Sequence, residues 1–174
     1  MMSPTGTFSL ATHGRTLMQL VTAPGVFFEN SRDRLVSTAP LVFLAFSAVL
    51  FTVLTLVFQP GTRSPLVAAI LMGNAFGMVL ILSFISYLVM VLSMGKRTGY
   101  RQMIGVFAYA SGAGMMIAWI PHMLILSEPW RWFLVGMGLA KGLGLKWTGS
   151  LWIIFCAVTV MTILFRSVLP LLHA

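Results

Sequence analysis

Five stretches of almost unbroken apolar residues, separated by short polar turns, set the organisation of this chain. The first runs from about residue 40 to 58, with Pro40 tolerated in its first turn and Pro60 closing its end. The turn QPGTRSP follows, dense in proline and glycine. The second stretch covers about 66–94. It exceeds the roughly 20 residues a helix needs to cross a bilayer, so it is expected to tilt or to project into the cytoplasm. The third, about 103–126, starts from a basic knot at Lys96, Arg97 and Arg101 and ends before Glu128. Its first half is studded with small residues: Gly105, Ala108, Ala110, Ser111, Gly112, Ala113 and Gly114. That composition suits a helix packed among others rather than bathed in lipid, and this segment is predicted to be the central helix. Ser127-Glu128-Pro129 predicts the chain reversal after it, and Trp130, Arg131 and Trp132 an interfacial belt. The fourth stretch, about 130–145, is short, glycine-rich and interrupted by Lys141. A short, closely packed crossing and a re-entrant helix both fit it. The fifth, about 150–169, has Ser150 as candidate N-cap and Arg166 near its far end, where a long side chain can snorkel to water.

The chain ahead of these runs reads differently. Residues 1–13 are rich in small and polar residues and are expected to be disordered or loosely attached. Leu17, Met18, Leu20 and Val21 can cover one side of a short helix. Pro24 then suits the first turn of a second, in which Val26, Phe27, Phe28, Leu35 and Val36 are apolar and Glu29, Asn30, Arg32, Asp33 and Arg34 polar. This pattern predicts a membrane-surface helix with its phenylalanines dipped into the interface and its arginines at the headgroups. The predicted division is a cytoplasmic tail and surface helix over 1–38 and a bundle over 39–174. The predicted fold class is an all-α integral membrane protein, a five-helix transmembrane bundle preceded by a short interfacial amphipathic helix.

Composition supports that class. With 59% hydrophobic and 8% charged residues in 174, the chain is not built as a soluble domain. Its charges fall mostly between the apolar runs, as they should when one at the bilayer centre costs roughly 2.5–3.5 kcal/mol even on insertion scales. The net charge of +8 does not point to nucleic acid, because the basic residues are scattered among short loops. Anionic inner-leaflet lipid is the expected partner of Arg32, Arg34, Lys96, Arg97, Arg101, Lys141 and Lys146, alongside a membrane-protein partner or a second copy of the chain. With five spans, eight of the eleven basic residues share one side, leaving Arg63, Arg131 and Arg166 for the other. The positive-inside rule then places the N-terminus in the cytoplasm and the C-terminus opposite; if the fourth segment does not cross, the C-terminus becomes cytoplasmic. The first 22 residues carry no secretory-signal pattern, so insertion is expected to depend on the first span.

Groups for catalysis are few. Glu29 and Asp33 form the single near pair of carboxylates, beside Arg32 and Arg34, and read as helix solubility and ion pairing. His13 and His173 lie in the expected tails. His122 is surrounded by Met115, Met116 and Met123, a soft donor set of the kind that holds Cu(I), but Met123 faces away and Pro121 disrupts the local geometry. Methionine as flexible packing is the preferred reading. Cys156 lies inside an apolar run as a structural thiol, and no cofactor or metal is expected. The amide-bearing pattern Gly73-Asn74 with Gly77, and the small pairs Ala108/Gly112, Ala110/Gly114, Gly136/Ala140 and Gly138/Gly142, predict close helix packing. The chain reads as non-catalytic: a scaffold for partners or an organiser of lipid, with an accessory subunit of a larger complex or an oligomeric solute carrier as alternatives.

Three local patterns carry a resemblance. An apolar-Pro-x-x-Phe-Phe entry (Leu20 to Phe28) precedes the first span. A basic loop leads to Phe107, Tyr109, Ala110 and Ser111 in a segment ending at Ile120-Pro121, and Gly138 to Leu145 closes the Trp-containing fourth segment. Together these resemble the Yip family of small polytopic membrane proteins, in its prokaryotic branch. The resemblance implies a five-helix bundle with a cytoplasmic N-terminus in a bacterial or archaeal inner membrane. Eukaryotic members are linked to Rab GTPases, a partnership not carried over to this chain.

Overall fold

Ser64 and Gly95 bracket the longest helix. The Ser64 hydroxyl accepts a hydrogen bond from the Leu66 amide at 3.2 Å, and Pro65 occupies the first turn, where its missing N–H costs nothing. At the other end Gly95 adopts a left-handed conformation (φ 63°), and its amide bonds back to the Val91 carbonyl. The computed structural model describes residues 10–168 apart from 60, 62, 96, 97 and 121. Within them the order is α1 (Leu10–Thr22), α2 (Pro24–Asn30), a 3₁₀ turn (Arg34–Val36), α3 (Ala39–Phe58), α4 (Pro65–Met94), α5 (Tyr100–Ala118), α6 (Leu124–Met137) continuing into a π turn (Gly138–Gly142), and α7 (Trp147–Val168). The described residues are otherwise turns and bends, with no strand.

Among the described residues, three helices are long and apolar enough to cross a membrane by length and composition: α3, α4 and α7. The α5 helix, 19 residues long, owes its lower hydropathy to Tyr100, Arg101, Gln102 and its small residues. It is nonetheless the middle of the structure. Met103 and the run from Gly105 to Gly114 are buried, and α1, α3, α4, α6, the 3₁₀ turn and the π turn all pack on it. A helix sheathed by other helices does not need lipid-like side chains, and small ones let backbones approach closely. The segment predicted as central is therefore the hub.

Contacts between helix ends fix an alternating course. Phe58 at the end of α3 stacks near Trp119 after α5, with centroids 5.2 Å apart. Gly149 in α7 sits against Met94 at the end of α4, and Gly136 late in α6 sits against Trp147 at the start of α7. One end of the bundle thus carries the starts of α3, α5 and α7; the other carries their ends. At that far end Arg63 donates to the Leu56 and Val57 carbonyls at 3.2 Å each, satisfying the last turn of α3.

Three expectations are corrected here. The reversal after α5 falls between Ala118 and Leu124, not at Ser127–Pro129, which are inside α6. His122 takes a positive φ of 69°, an uncommon conformation that polar residues tolerate better than branched ones. Trp130, Arg131 and Trp132 accordingly lie within α6 rather than at its end. There Arg131 pairs with Glu128 at 2.7 Å and its guanidinium lies 5.2 Å from the Trp132 ring centroid.

The second correction concerns the N-terminal region. Helix α1 already begins within the stretch expected to be loose, and His13 is buried, its ring stacked on Phe43 at 4.3 Å and tilted on Phe46 at 4.4 Å. The third concerns the phenylalanines. Phe27 and Phe28 do not dip into lipid; they are 5% and 0% exposed inside the protein core. Phe27 meets Tyr109 of α5 edge-on at 5.0 Å. The α1–α2 segment is a layer of the bundle itself, because Phe28 fits against Gly138 of the π turn and Phe27 packs on Tyr109 of α5.

Candidate functional site

The region around α2, the 3₁₀ turn and the π turn gathers several of the residues singled out by the sequence, including Arg32, Arg34, Lys141, Gly138 and Gly142. Its base is glycine. A Cβ on Gly138 would meet Val106 Cγ1, with the Phe28 ring 3.1 Å away; one on Gly142 would lie 3.1 Å from Leu35 Cδ1. A Cβ on Gly105 would run into the Leu35 carbonyl oxygen, a backbone atom that cannot swing aside. Gly105 belongs to the small-residue run that marked α5 as a packed helix, but not to the predicted small pairs. Extending the small-residue spacing of Ala108 and Gly112 one turn back would have found it.

Among the predicted packing positions, Ala108, Gly112 and Gly114 are buried on α5. An added Cβ on Gly112 would lie 2.7 Å from the Phe43 ring, while Gly114 has ordinary contact with Arg131. The α4 pattern behaves otherwise. Gly73 and Asn74 are exposed, and a Cβ on Gly73 or Gly77 would meet nothing. Helix α4 packs through Ala75, Val79, Leu82, Ser83, Ile85, Ser86 and Met90 instead. The expected close approach at Gly73 and Gly77 is therefore not made among the described residues.

Polar groups lock the rim. Arg32 donates from Nε and Nη2 to the Lys141 carbonyl at 3.1 and 2.9 Å. The Lys141 ammonium lies 3.9 Å from a Glu29 carboxylate oxygen. Widening the last turn of α6 into a π turn leaves that carbonyl available, and the guanidinium satisfies it. Arg34 and Arg101 are exposed beside the 3₁₀ turn and at the start of α5, and Lys146 is exposed just before α7. Lys96 and Arg97 lie outside the described residues. Of the histidine–methionine group, His122 and Met123 are exposed while Met115 and Met116 are half-buried; Pro121 lies outside the described residues. Among the described residues no three His, Cys, Asp or Glu side chains are grouped as a metal site would need. Burial pushes the His13 imidazole below its ordinary pKa.

The family model for the Yip1 domain matches residues 18–168. This chain belongs to the Yip1 domain family. The match spans all the elements just described except the first part of α1, and it includes Leu20–Phe28, the α5 segment and Gly138–Leu145, the three patterns on which the resemblance rests. Among curated proteins and among solved structures, none matches the chain. The Yip1 domain is here a helical membrane protein whose α2 packs on the π turn that ends α6, and whose 3₁₀ turn packs on the central helix.

Proposed function

We propose that this Yip1-family protein is a non-catalytic scaffold of the prokaryotic cytoplasmic membrane that gathers anionic lipid, and through it membrane-protein partners, at its basic end. In this reading α3 to α7 all cross the bilayer, α6 doing so with the help of its π turn, and the N-terminus is cytoplasmic. The observation that carries it is the placement of charge. Arg32, Arg34, Arg101, Lys141 and Lys146 sit at or near the starts of α3, α5 and α7, while Arg63 and Arg166 lie toward the far end. Basic side chains near an anionic leaflet contribute about 1 kcal/mol each, so five together hold a lipid environment strongly.

Reconstitution into phosphatidylcholine vesicles doped with labelled phosphatidylglycerol tests this. Energy transfer between labelled lipids should rise on adding the protein and fall when the five basic residues become Gln. Lipid mixing indifferent to the protein, or a purified monomer that turns over a substrate, would contradict it.

A further inference from the structure

Between α1 and α2, where the 3₁₀ turn begins, the surface opens into a cleft of about 270 Å³. Its lining brings Gln19 of α1, Asn30 and Ser31 at the end of α2, and Arg34 together with Val26 and Phe27. The neighbouring arginine is committed: Arg32 is spent on the Lys141 carbonyl. Arg34 is not. Among the described residues its guanidinium makes no hydrogen bond or ion pair, nor do the side chains of Gln19, Asn30 and Ser31. An uncommitted guanidinium, two amides and a hydroxyl lining one cleft are a donor set for a tetrahedral anion, and guanidinium binds phosphate through two parallel bonds. The volume suits a headgroup rather than a whole lipid, near the lower limit of small-molecule sites. The exposed Val26 adds an apolar lip beside it.

We propose that this cleft is a binding site for a phosphate ester, with Arg34 as its anchor and Gln19, Asn30 and Ser31 as supporting donors. The inference rests on the lipid-gathering reading above but is narrower, replacing a diffuse basic end by one seat. The glycerophosphate part of an anionic phospholipid and a soluble glycerol phosphate share the chemistry it recognises. Of the two, the lipid fits a cleft with an apolar lip.

Native mass spectrometry of the full chain, released from detergent micelles with phosphatidic acid or phosphatidylcholine added, tests the proposal. The wild type should retain one phosphatidic acid in preference to phosphatidylcholine. Arg34→Gln should weaken that retention roughly tenfold, the loss of a charge-assisted pair. Gln19→Leu, on a different helix, should weaken it by a smaller factor, and Arg15→Gln, an exposed α1 residue outside the cleft lining, should leave it within about twofold. Glycerol 3-phosphate in excess assigns the source: lipid that resists displacement belongs to the cleft, and displacement assigns the same seat to a soluble ester. Equal losses in Arg34→Gln and Arg15→Gln would overturn the cleft and leave the diffuse reading standing. A wild type without preference for the anionic lipid would overturn both.

Discussion

The guanidinium of Arg32 holds the backbone carbonyl of Lys141 through two hydrogen bonds, across 109 residues of sequence. One side chain thereby ties the N-terminal helices to the end of α6. Removing it as Arg32→Ala should cost about 1 kcal/mol, since the pair is exposed, and lower the melting temperature in detergent by about 2–4 °C. Faster amide exchange in α2 should accompany the loss, with α4 unaffected. Unchanged exchange in α2 would show that the clasp does not hold it.

Phe28 gives a stronger contrast. A phenylalanine lying in the lipid interface and one filling a core respond differently to truncation. Phe28 is fully buried against Gly138. Phe28→Ala should therefore destabilise the bundle by about 3–5 kcal/mol, measured as thermal or denaturant unfolding in detergent. Wild-type stability combined with weaker membrane association would restore the surface-helix reading.

The glycines divide by position. Gly105→Ala forces a methyl onto the Leu35 carbonyl, and Gly112→Leu drives a side chain into the Phe43 ring. Each should lower stability by about 1–3 kcal/mol through overpacking. Gly73→Ala and Gly77→Ala meet open space and should leave melting of the monomer unchanged or slightly raised, alanine being the better helix former. Equal effects at all four positions would contradict the packing described.

His13 couples the docking of α1 to pH. Burial between Phe43 and Phe46 disfavours its charged form, so the folded chain takes up the proton less readily than the unfolded one. The associated stability is present above the ordinary value of 6.5 and is lost as pH falls through the lowered folded value. Amide exchange in α1 should quicken on acidification from neutral pH to about pH 5, and His13→Phe should abolish that response. Exchange in α1 independent of pH would refute it.

Much of the scaffold was legible because bilayer and backbone constraints act locally. Pro40, Pro65 and Gly95 mark helix limits by fixed φ or a left-handed turn, and α3 and α4 begin and end within a residue of the expected bounds. The small-residue run from Gly105 to Gly114 announced the hub, since few other reasons exist to place so many there. What stayed hidden depends on which element covers which face. Phe27 and Phe28 next to arginines look the same in sequence whether lipid or α5 covers them. Gly73 and Gly77 carry the same spacing as Ala108 and Gly112, and only the fold shows that one pair is packed and the other is not. The turn between α5 and α6 was missed because Ser127-Glu128-Pro129 is the stronger local turn signal, yet α6 runs through Pro129. In the candidate site, Arg32 and Arg34 looked equivalent. Their separation into a structural clasp and a free anchor arises from a carbonyl more than a hundred residues away.

The account depends most on the basic end facing the cytoplasm at the end of an alternating set of crossings. Single cysteines at Gly61 and at Lys146, each in a Cys156→Ser background, place the two ends directly when intact bacterial cells are treated with a membrane-impermeant maleimide. Both positions are exposed. The account predicts labelling at position 61 in intact cells, and at position 146 only after the cells are opened. Labelling at position 146 in intact cells, with position 61 protected until lysis, would contradict it.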